Sequence, residues 1–414
     1  MRIAAKRLTS LQGFNLITAT KLSGVKVSEY INPDYVAEPE KMNVKKGLEG
    51  VVMDTSSVSK VNAETNSLVY RGYPVQDLAE NCTFEEVAYL LYTGALPNKA
   101  QLTEFSKKEK SLRDITKENL NVIKTLPKKC HPMDSIRTGV SFLGCEDERI
   151  WDASAATNLD KAIHLLAKIP TLIAADYRFK KGLDFIAPNS NLSIAENFFH
   201  MCFGKVPDTR VVKAFDVSLI LYAEHSFNAS TFTARVVTST QSDIYSATTA
   251  GIGALKGPLH GGANEMVMQM MLEINDANKA EEWMLGALAQ KKKVMGFGHR
   301  VYKSGDSRVP TMKKYAQVMA DVTDQQKWMQ MYNSLEKVML EKKKIYPNLD
   351  FPAGPAYYMM GFEIDFFTPI FVMARTTGWS AHIMEQTANN RIIRPLSEYI
   401  GSPQRKVAGL NERS

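Results

Sequence analysis

The stretch DLAENCTFEEVAYLLYTGALP, residues 77–97, indicates the fold class of this 414-residue chain. Its apolar residues recur at helical spacing, and Thr83 is followed three residues later by Glu86, which is the pattern of a capping box. The end of the stretch, from Thr93 to Pro97, contains a Gly and a Pro, which together signal the end of a helix. Residues 77–97 therefore predict an amphipathic helical segment with a defined start and stop.

Similar helical patterns continue through most of the chain. Upstream, short β-type runs around Val51 and Val69 predict one or two small hairpins. Strands and helices do not alternate, which argues against a Rossmann fold or a barrel. The sequence therefore predicts an all-α protein. Its further helix-like stretches, separated mostly by Gly and Pro, are 99–112, 115–126, 132–143, 158–182, 193–203, 209–223, 229–241, 262–275, 279–290, 308–321, 324–344, 353–360, 366–374 and 376–389.

The composition excludes several classes of protein. Hydrophobic residues make up 44% of the chain and charged residues 23%, which are the values of a globular protein and not of a disordered one. No uncharged apolar run approaches the ~18 residues that a membrane-spanning helix needs. The 4 cysteines are far apart and lack the spacing of a zinc site. We interpret them as reduced core thiols of a reducing compartment.

The first 28 residues carry most of the net positive charge. They contain five basic residues and no acidic residue, which leaves 46 basic and 44 acidic residues in the remainder. A nearly neutral body argues against a nucleic-acid-binding protein. The acid-free start, rich in Ser and Thr, predicts a transit peptide in residues 1–28 and a mitochondrial location if the source is eukaryotic. The alternative is a plain arm on a cytoplasmic protein. Residues 29–46, which are polar and contain two prolines, predict a linker.

One histidine lies in a loop that suits catalysis. His260 belongs to GPLHGGANE, residues 257–265, where turn-forming residues surround the imidazole and a helical pattern follows. The glycines permit close approach of the backbone to a ligand. The helix N-terminus supplies donors and a positive dipole end, which favour a neutral imidazole and an incoming oxyanion. We therefore interpret His260 as catalytic; the alternative is a turn with a capping histidine.

A second histidine, His299, follows the Gly-Phe-Gly of KVMGFGHRVYK, residues 293–303. A Gly-x-Gly before a histidine with flanking cations predicts a loop that closes on an anion. The third glycine of a dinucleotide-binding fingerprint is missing, and the sequence contains no GxxxxGK[ST] phosphate loop. Four other histidines lie in or beside helical patterns and are interpreted as structural: His131, His164, His200 and His382.

A candidate general base, Asp350, lies in YPNLDFPAGP, residues 346–355. The acid stands between Leu and Phe in a segment stiffened by three prolines, so we expect its carboxylate to be desolvated and held in one direction. Desolvation raises the basicity of a carboxylate, which a general base requires. The alternative is that Asp350 is the N-cap of the helix that follows.

Three arginines form a candidate anion clamp: Arg308, Arg375 and Arg394. Several arginines that converge on one site bind a di- or tricarboxylate through bidentate hydrogen bonds. Taken singly, each is more often part of a surface ion pair. His225 lies in YAEHSFNAST, residues 222–231, a polar cluster that is ambiguous by itself.

Together these segments resemble the citrate synthase family from about Gly47 to Gly401. GPLHGGANE, MGFGHRVYK and NLDF occur in the family's order and spacing, and YAEHSFNAST, ARTTGWSAHIMEQ and RIIRP also fit. HPMDSIRTGVSFLG, STQSDIYSA and DFPAGPAYYMMGF look most like bacterial-type 2-methylcitrate synthases. One departure is that common citrate synthases often have Tyr-Ser after the catalytic Asp-Phe, where this chain has Pro352-Ala353.

The resemblance implies a citrate-synthase-like helical homodimer with the active site in a cleft between two domains of each subunit. The large domain would comprise residues 47–260 and 357–414, and the small domain residues 261–356. Oxaloacetate and propionyl-CoA or acetyl-CoA would be the substrates, and the products 2-methylcitrate or citrate. The thioester is hydrolysed after condensation, so neither a metal ion nor another cofactor is expected.

The resemblance also implies roles for single residues. Asp350 would remove the α-proton of the acyl-CoA, His260 would hydrogen-bond the thioester oxygen, and His299 would polarise the ketone of oxaloacetate. The oxaloacetate carboxylates would be held by His225, Arg308, Arg375 and, from the partner subunit, Arg394. The residues implied to lie along CoA are Lys293, Val294, Met295, Gly296 and Phe297.

Other functions remain open on the residues. A citrate synthase that uses mainly acetyl-CoA would have the same catalytic residues. A metal-dependent hydrolase would be expected to show an HExxH or paired-carboxylate motif, and the sequence has neither. A non-catalytic anion-binding protein would not need Asp350 or His299.

Overall fold

The computed structural model describes residues 43–413, apart from residues 63, 300, 303, 403, 404 and 406. The predicted transit segment, residues 1–28, and most of the predicted linker lie outside this part of the chain. The described residues fall into two units: residues 54–393 form the larger, and the two chain ends flanking them form the smaller. The division into a large and a small domain stays a prediction.

Sixteen α-helices account for most of the described residues, so the all-α prediction is confirmed. No helix in this part of the chain is both long and apolar enough to cross a membrane. The helices are Val75–Asn81 (α1), Phe84–Thr93 (α2), Lys99–Ser111 (α3), Lys117–Thr125 (α4), Pro132–Glu146 (α5), Ala155–Lys180 (α6), Ile194–Phe203 (α7), Thr209–Tyr222 (α8), Ala229–Ser239 (α9), Ile244–Leu255 (α10), Ala263–Ile274 (α11), Ala280–Ala289 (α12), Val309–Thr323 (α13), Gln326–Lys343 (α14), Asp350–Met359 (α15) and Phe367–Ala388 (α16).

The strands Ser59–Asn62 (β1), Ser67–Tyr70 (β2) and Tyr73–Pro74 (β3) form an antiparallel sheet in the order β1-β2-β3. The hairpin predicted around Val69 is confirmed, whereas the run around Val51 forms no strand. The sheet supports the end of α8, because the Tyr70 hydroxyl donates to the carbonyl oxygens of Ile220 at 3.1 Å and Glu224 at 2.9 Å.

Helix α16 is the centre of the core. It is buried around its whole circumference from Phe367 to Ile383 and packs against α6, α8, α9 and α10. A helix that is apolar or small-sided on every face belongs in a protein interior. The sequence prediction split this helix at Arg375, but the charged residue lies inside one continuous helix and is 1% exposed. The core helix therefore carries a buried arginine at its middle.

Other helix boundaries also differ from the predictions. The stretch 77–97 contains the end of α1 and the whole of α2, and the two helices are separated at Cys82 and Thr83. The predicted capping box of Thr83 and Glu86 is confirmed at the start of α2. Helix α10 was missed because its sequence, IYSATTAGIGAL, consists largely of small residues and lacks a clear apolar period. Its glycine at 251 lets α10 approach Trp379, since an added Cβ there would lie 3.1 Å from the indole ring.

Candidate active site

The C-terminal end of α8 gathers two of the predicted arginines. The carbonyl oxygen of Tyr222 accepts a hydrogen bond from Arg375 Nε at 2.8 Å, and that of Leu221 accepts from Arg308 Nη1 at 3.4 Å. The last carbonyls of a helix lack intrahelical partners, and the negative end of its dipole favours cations. The helix end therefore brings together two guanidinium groups that are 67 residues apart in the sequence.

Asp350 lies against the same helix end. It is the first residue of α15, and its Oδ1 accepts a hydrogen bond from the Tyr222 hydroxyl at 2.7 Å. Burial raises the pKa of Asp350 to about 6, although the Tyr222 hydrogen bond and Arg308 act in the opposite direction. The N-cap alternative is wrong, because Leu349 occupies the N-cap position of this helix. At neutral pH Asp350 is thus an ionised carboxylate of raised basicity, as a general base requires.

His260 lies in the predicted turn between α10 and α11. Its Nε2 lies 2.8 Å from Ser230 Oγ and accepts from the Ser230 amide at 3.3 Å, while Trp379 Nε1 donates to the same Oγ. The same Nε2 also lies 3.2 Å from Asn228 Oδ1. Burial, and then Arg375, lower the pKa of His260 to about 3. Burial and a nearby cation therefore explain why the imidazole is neutral, as predicted. The alternative of a capping histidine is wrong, because the N-cap of α11 is Gly262 and no side chain caps this helix.

Backbone amides fix the tautomer of His299. Its Nδ1 accepts from the backbone amides of Val301 at 3.0 Å and Tyr302 at 3.1 Å, which assigns the ring proton to Nε2. Burial, and then Arg308, lower the pKa of His299 to about 4. The ring is therefore a neutral donor, which suits the polarisation of a ketone oxygen.

His225 packs against His299, with their ring centroids 5.0 Å apart. Its pKa is held well below the usual range by burial and by the charge of Arg308. Within the described part of the chain, His225 Nε2 is buried and has no hydrogen-bond partner. A buried polar atom of this kind is rare in native proteins and indicates a place for a ligand.

The two buried arginines differ in how they are paired. Arg308 makes a bidentate ion pair with Asp306, with Nε–Oδ1 and Nη2–Oδ2 distances of 2.9 and 2.7 Å. Arg375 has no such pair: its Cζ lies 4.7 Å from the Phe371 ring centroid, and its buried Nη1 has no partner among the described residues. Burial lowers the pKa of Arg375 to about 10, so it stays charged at neutral pH. The surface-ion-pair alternative is wrong for both residues, because both are buried.

The segment implied to contact CoA lies directly beside Asp350. Phe297 forms an isolated antiparallel bridge with Pro347, and the amide of Asn348 donates to Gly296 O at 2.9 Å. Gly296 has a φ of +83°, and a Cβ there would lie 2.6 Å from Val267, so only glycine fits. Along this segment Lys293 is exposed, whereas Val294 is buried; Arg300 and Lys303 of the same motif lie outside the described residues.

Arg394 belongs to a different unit from the other predicted site residues. It is exposed and belongs to the smaller unit formed by the chain ends. Its predicted contribution to a neighbouring subunit stays a prediction.

Sequence reasoning missed a buried network behind the site. Glu224 is 0% exposed and its Oε1 accepts from His382 Nε2 at 2.8 Å and from Ser59 Oγ at 2.8 Å. His382 Nδ1 lies 3.2 Å from Nη1 of Arg235. Burial raises the pKa of Glu224, but His382 and then Arg375 together lower it by more, so Glu224 keeps its negative charge close to Arg375. His382 had been interpreted as structural, and no local signal linked it to Glu224, 158 residues away.

Comparisons with known proteins identify the family of this chain. The family model described as "Citrate synthase, C-terminal domain" matches residues 47–396. A citrate synthase of Mycolicibacterium smegmatis is 59% identical over 89% of this chain and 98% of its own length. A 2-methylcitrate synthase of Mycobacterium tuberculosis is 58% identical over 89% of this chain and 94% of its own. These relatives are bacterial and give no support to the mitochondrial alternative.

A solved structure gives the same result. The ternary complex of carboxymethyl coenzyme A and oxaloacetate with citrate synthase from Thermoplasma acidophilum aligns with a TM-score of 0.86 and 31% identity. The alignment covers 89% of this chain and 99% of that one. The resemblance seen in the sequence motifs is thereby confirmed, and this chain belongs to the citrate synthase family.

Proposed function

We propose that this chain condenses oxaloacetate with an acyl-CoA, propionyl-CoA or acetyl-CoA, and hydrolyses the thioester to give 2-methylcitrate or citrate and free CoA. The observation that carries the proposal is the group of side chains around the end of α8. It combines a buried carboxylate whose pKa is about 6, two neutral imidazoles, and a buried arginine whose Nη1 has no partner among the described residues. A base, two electrophilic donors and an anion clamp are the parts that such a condensation needs.

In the first step, Asp350 removes a proton from the α-carbon of the acyl-CoA. His260 donates a hydrogen bond to the thioester oxygen, on which negative charge develops as the enol forms. His260 carries no charge at neutral pH, because its pKa is about 3, so it stabilises this oxygen as a neutral donor. The segment from Lys293 to Phe297 holds the CoA, which places the thioester beside Asp350.

In the second step, the enol carbon attacks the ketone carbon of oxaloacetate. Nε2–H of His299 donates to the ketone oxygen and gives its proton as the carbon–carbon bond forms. Arg308, Arg375 and His225 hold the carboxylates. The bound anion satisfies Nη1 of Arg375 and Nε2 of His225, which have no partner within the described part of the chain. Water then hydrolyses the thioester, and we expect neither a metal ion nor ATP to take part. Unchanged activity in a chelator distinguishes this chemistry from that of a metal-dependent hydrolase.

The finer proposal concerns the acyl group. The relatives named as citrate synthase and as 2-methylcitrate synthase are 59% and 58% identical to this chain, so identity does not distinguish the two substrates. The closer likeness of DFPAGPAYYMMGF to 2-methylcitrate synthases favours propionyl-CoA. Pro352 and Ala353, which follow the base on the first turn of α15, are both buried and take less space than the Tyr-Ser of common citrate synthases.

We therefore expect both thioesters to be used, with the higher kcat/KM for propionyl-CoA. One methylene changes kcat/KM by only about 10–200-fold, so acetyl-CoA is not rejected. The test is thiol release from each acyl-CoA with oxaloacetate, measured side by side. A double variant, Pro352→Tyr with Ala353→Ser, should move the preference towards acetyl-CoA if its thermal midpoint shows that it is folded. A tenfold or greater preference of the wild type for acetyl-CoA would assign the chain as a citrate synthase instead.

We also propose that the chain is a homodimer in which Arg394 completes the site of the partner subunit. Neither Asp350→Asn nor Arg394→Leu should be active alone, but a mixed dimer has one intact site. Random mixing then restores about a quarter of wild-type activity, because half of the dimers are mixed. The measurement is thiol release after refolding an equimolar mixture, with two affinity tags to show that mixed dimers form. Absence of recovery in confirmed mixed dimers contradicts a shared site.

A further inference from the structure

Tyr222 contacts both halves of the proposed chemistry. It is the last residue of α8 and is 1% exposed. Its hydroxyl donates to Oδ1 of Asp350 at 2.7 Å, and its carbonyl oxygen accepts from Nε of Arg375 at 2.8 Å. One residue thus contacts the base through its side chain and the anion clamp through its backbone.

Tyr222 is itself held firmly. The centroid of its ring lies 4.2 Å from the ring centroid of Phe371 and 6.4 Å from that of Tyr357. The next residue, Ala223, accepts from the Gly378 amide at 3.2 Å, and this contact depends on glycine, because an added Cβ would lie 2.5 Å from the Ala223 oxygen. The end of α8 therefore cannot shift without disturbing α16.

The hydroxyl has one proton and donates it to Oδ1 of Asp350. Oδ2 has no hydrogen-bond partner among the described residues and is the oxygen left for the substrate. A fixed Oδ1 sets the direction of Oδ2, and efficient proton transfer needs the two reacting atoms in a defined geometry. Tyr222 does not need to touch the substrate to have this effect.

We propose that Tyr222 is a positioning residue that fixes the base Asp350 relative to the clamp Arg375, so that the acyl α-carbon and the ketone meet in one place. This inference rests on the proposed condensation. The sequence motifs did not indicate this role for Tyr222, because Tyr222 and Asp350 are 128 residues apart in the sequence.

The hydrogen bond between Tyr222 and Asp350 affects the pH dependence of the rate, which a purely structural contact would not affect. It stabilises the ionised carboxylate and so lowers the pKa of Asp350 against the effect of burial. Its removal raises that pKa, and the acid limb of the rate profile moves to higher pH. The loss of the hydroxyl leaves in place the other charged groups that shift the pKa of Asp350, which are Arg308, Asp306 and Arg375. Tyr332 packs against the neighbouring Phe351, and its hydroxyl donates to Oε1 of Glu336. The pKa values of His260 and His299 are lower, so they do not produce a limb near pH 6.

The test compares Tyr222→Phe with Tyr357→Phe. Tyr357 is an equally buried tyrosine beside it, whose hydroxyl donates to Ser218 Oγ at 3.1 Å. For each protein, kcat/KM for the acyl-CoA is measured from pH 5 to 9 at saturating oxaloacetate. We expect Tyr222→Phe to move the acid limb up by about one unit. Its rate at pH 6 should fall about fivefold more than at pH 9, while KM for oxaloacetate stays within about threefold, because the backbone carbonyl remains. Tyr357→Phe should keep the wild-type limb.

A second variant covers a failure of Tyr222→Phe to fold. Replacing Tyr222 by 3-fluorotyrosine keeps its shape and makes the hydroxyl a stronger donor, so the acid limb should move to lower pH. A limb within 0.2 units of wild type in the folded variants, with rates lowered equally at every pH, would overturn the positioning role. An inactive wild type would instead refute the proposed condensation, and the two failures are therefore distinct.

Discussion

Replacing Asp350 by Asn is expected to lower turnover by roughly 10²- to 10⁴-fold, the range typical of a lost general base. The amide has nearly the shape of the carboxylate and can still accept from the Tyr222 hydroxyl, so the site should stay assembled. The amide is not a base, however. It cannot take up the α-proton at neutral pH, where Asp350, with a pKa of about 6, is an ionised carboxylate. Binding of oxaloacetate, measured by calorimetry, should change by less than about threefold.

Two comparisons make this result specific to the base. Asp350→Glu keeps the charge but moves the carboxylate by one methylene, so it should retain more activity than Asn while still falling well below wild type. The acid limb of the wild-type profile near pH 6 should vanish in Asp350→Asn, because the group that titrates there is gone. Turnover of Asp350→Asn within threefold of wild type would mean that another group removes the proton.

The sequence predicted this fold well where apolar residues recur with a helical period. Helices such as α3, α7 and α14 were placed within two residues of their observed bounds. Where packing replaces the period, the prediction missed α10 and divided α16 into two helices at Arg375. Helix α10 is made of small residues that let its neighbours approach, and α16 is buried on every face, so neither has an amphipathic pattern to read.

The site was predictable as a set of residues but not as an arrangement. Turn-forming neighbours mark His260 and His299, and apolar neighbours and prolines mark Asp350, all within ten residues of sequence. The hydrogen bonds of these side chains depend on distant contacts, as with Ser230 for His260. The pairing of Glu224 with His382 likewise joins residues that lie in separate motifs. Such contacts are set by helix packing, which one sequence does not reveal.

Replacing Arg375 by Leu is expected to raise the KM for oxaloacetate by at least about 30-fold. Truncating one partner of a buried charged contact costs about 2–5 kcal/mol, and each ~1.4 kcal/mol is tenfold in affinity. Arg375 is 1% exposed and its Nη1 has no partner within the described residues, so a bound carboxylate satisfies a donor that is otherwise buried at a cost. The KM for the acyl-CoA should change by less than about threefold.

The same argument predicts an unusual stability profile for Arg375→Leu. Because an incompletely satisfied buried charge contributes little to stability, the ligand-free variant should melt within a few degrees of wild type. Oxaloacetate should raise the melting temperature of the wild type and not that of the variant.

Arg113→Leu is the matched control, since Arg113 is also buried but is fully paired with Glu109 and with the carbonyl oxygens of Asn189 and Leu192. Its loss leaves a carboxylate buried without its partner, so it should lower the melting temperature and leave the KM for oxaloacetate unchanged. A variant of Arg375 that loses stability as Arg113→Leu does, but keeps its affinity for oxaloacetate, would place Arg375 in the core and not in the clamp.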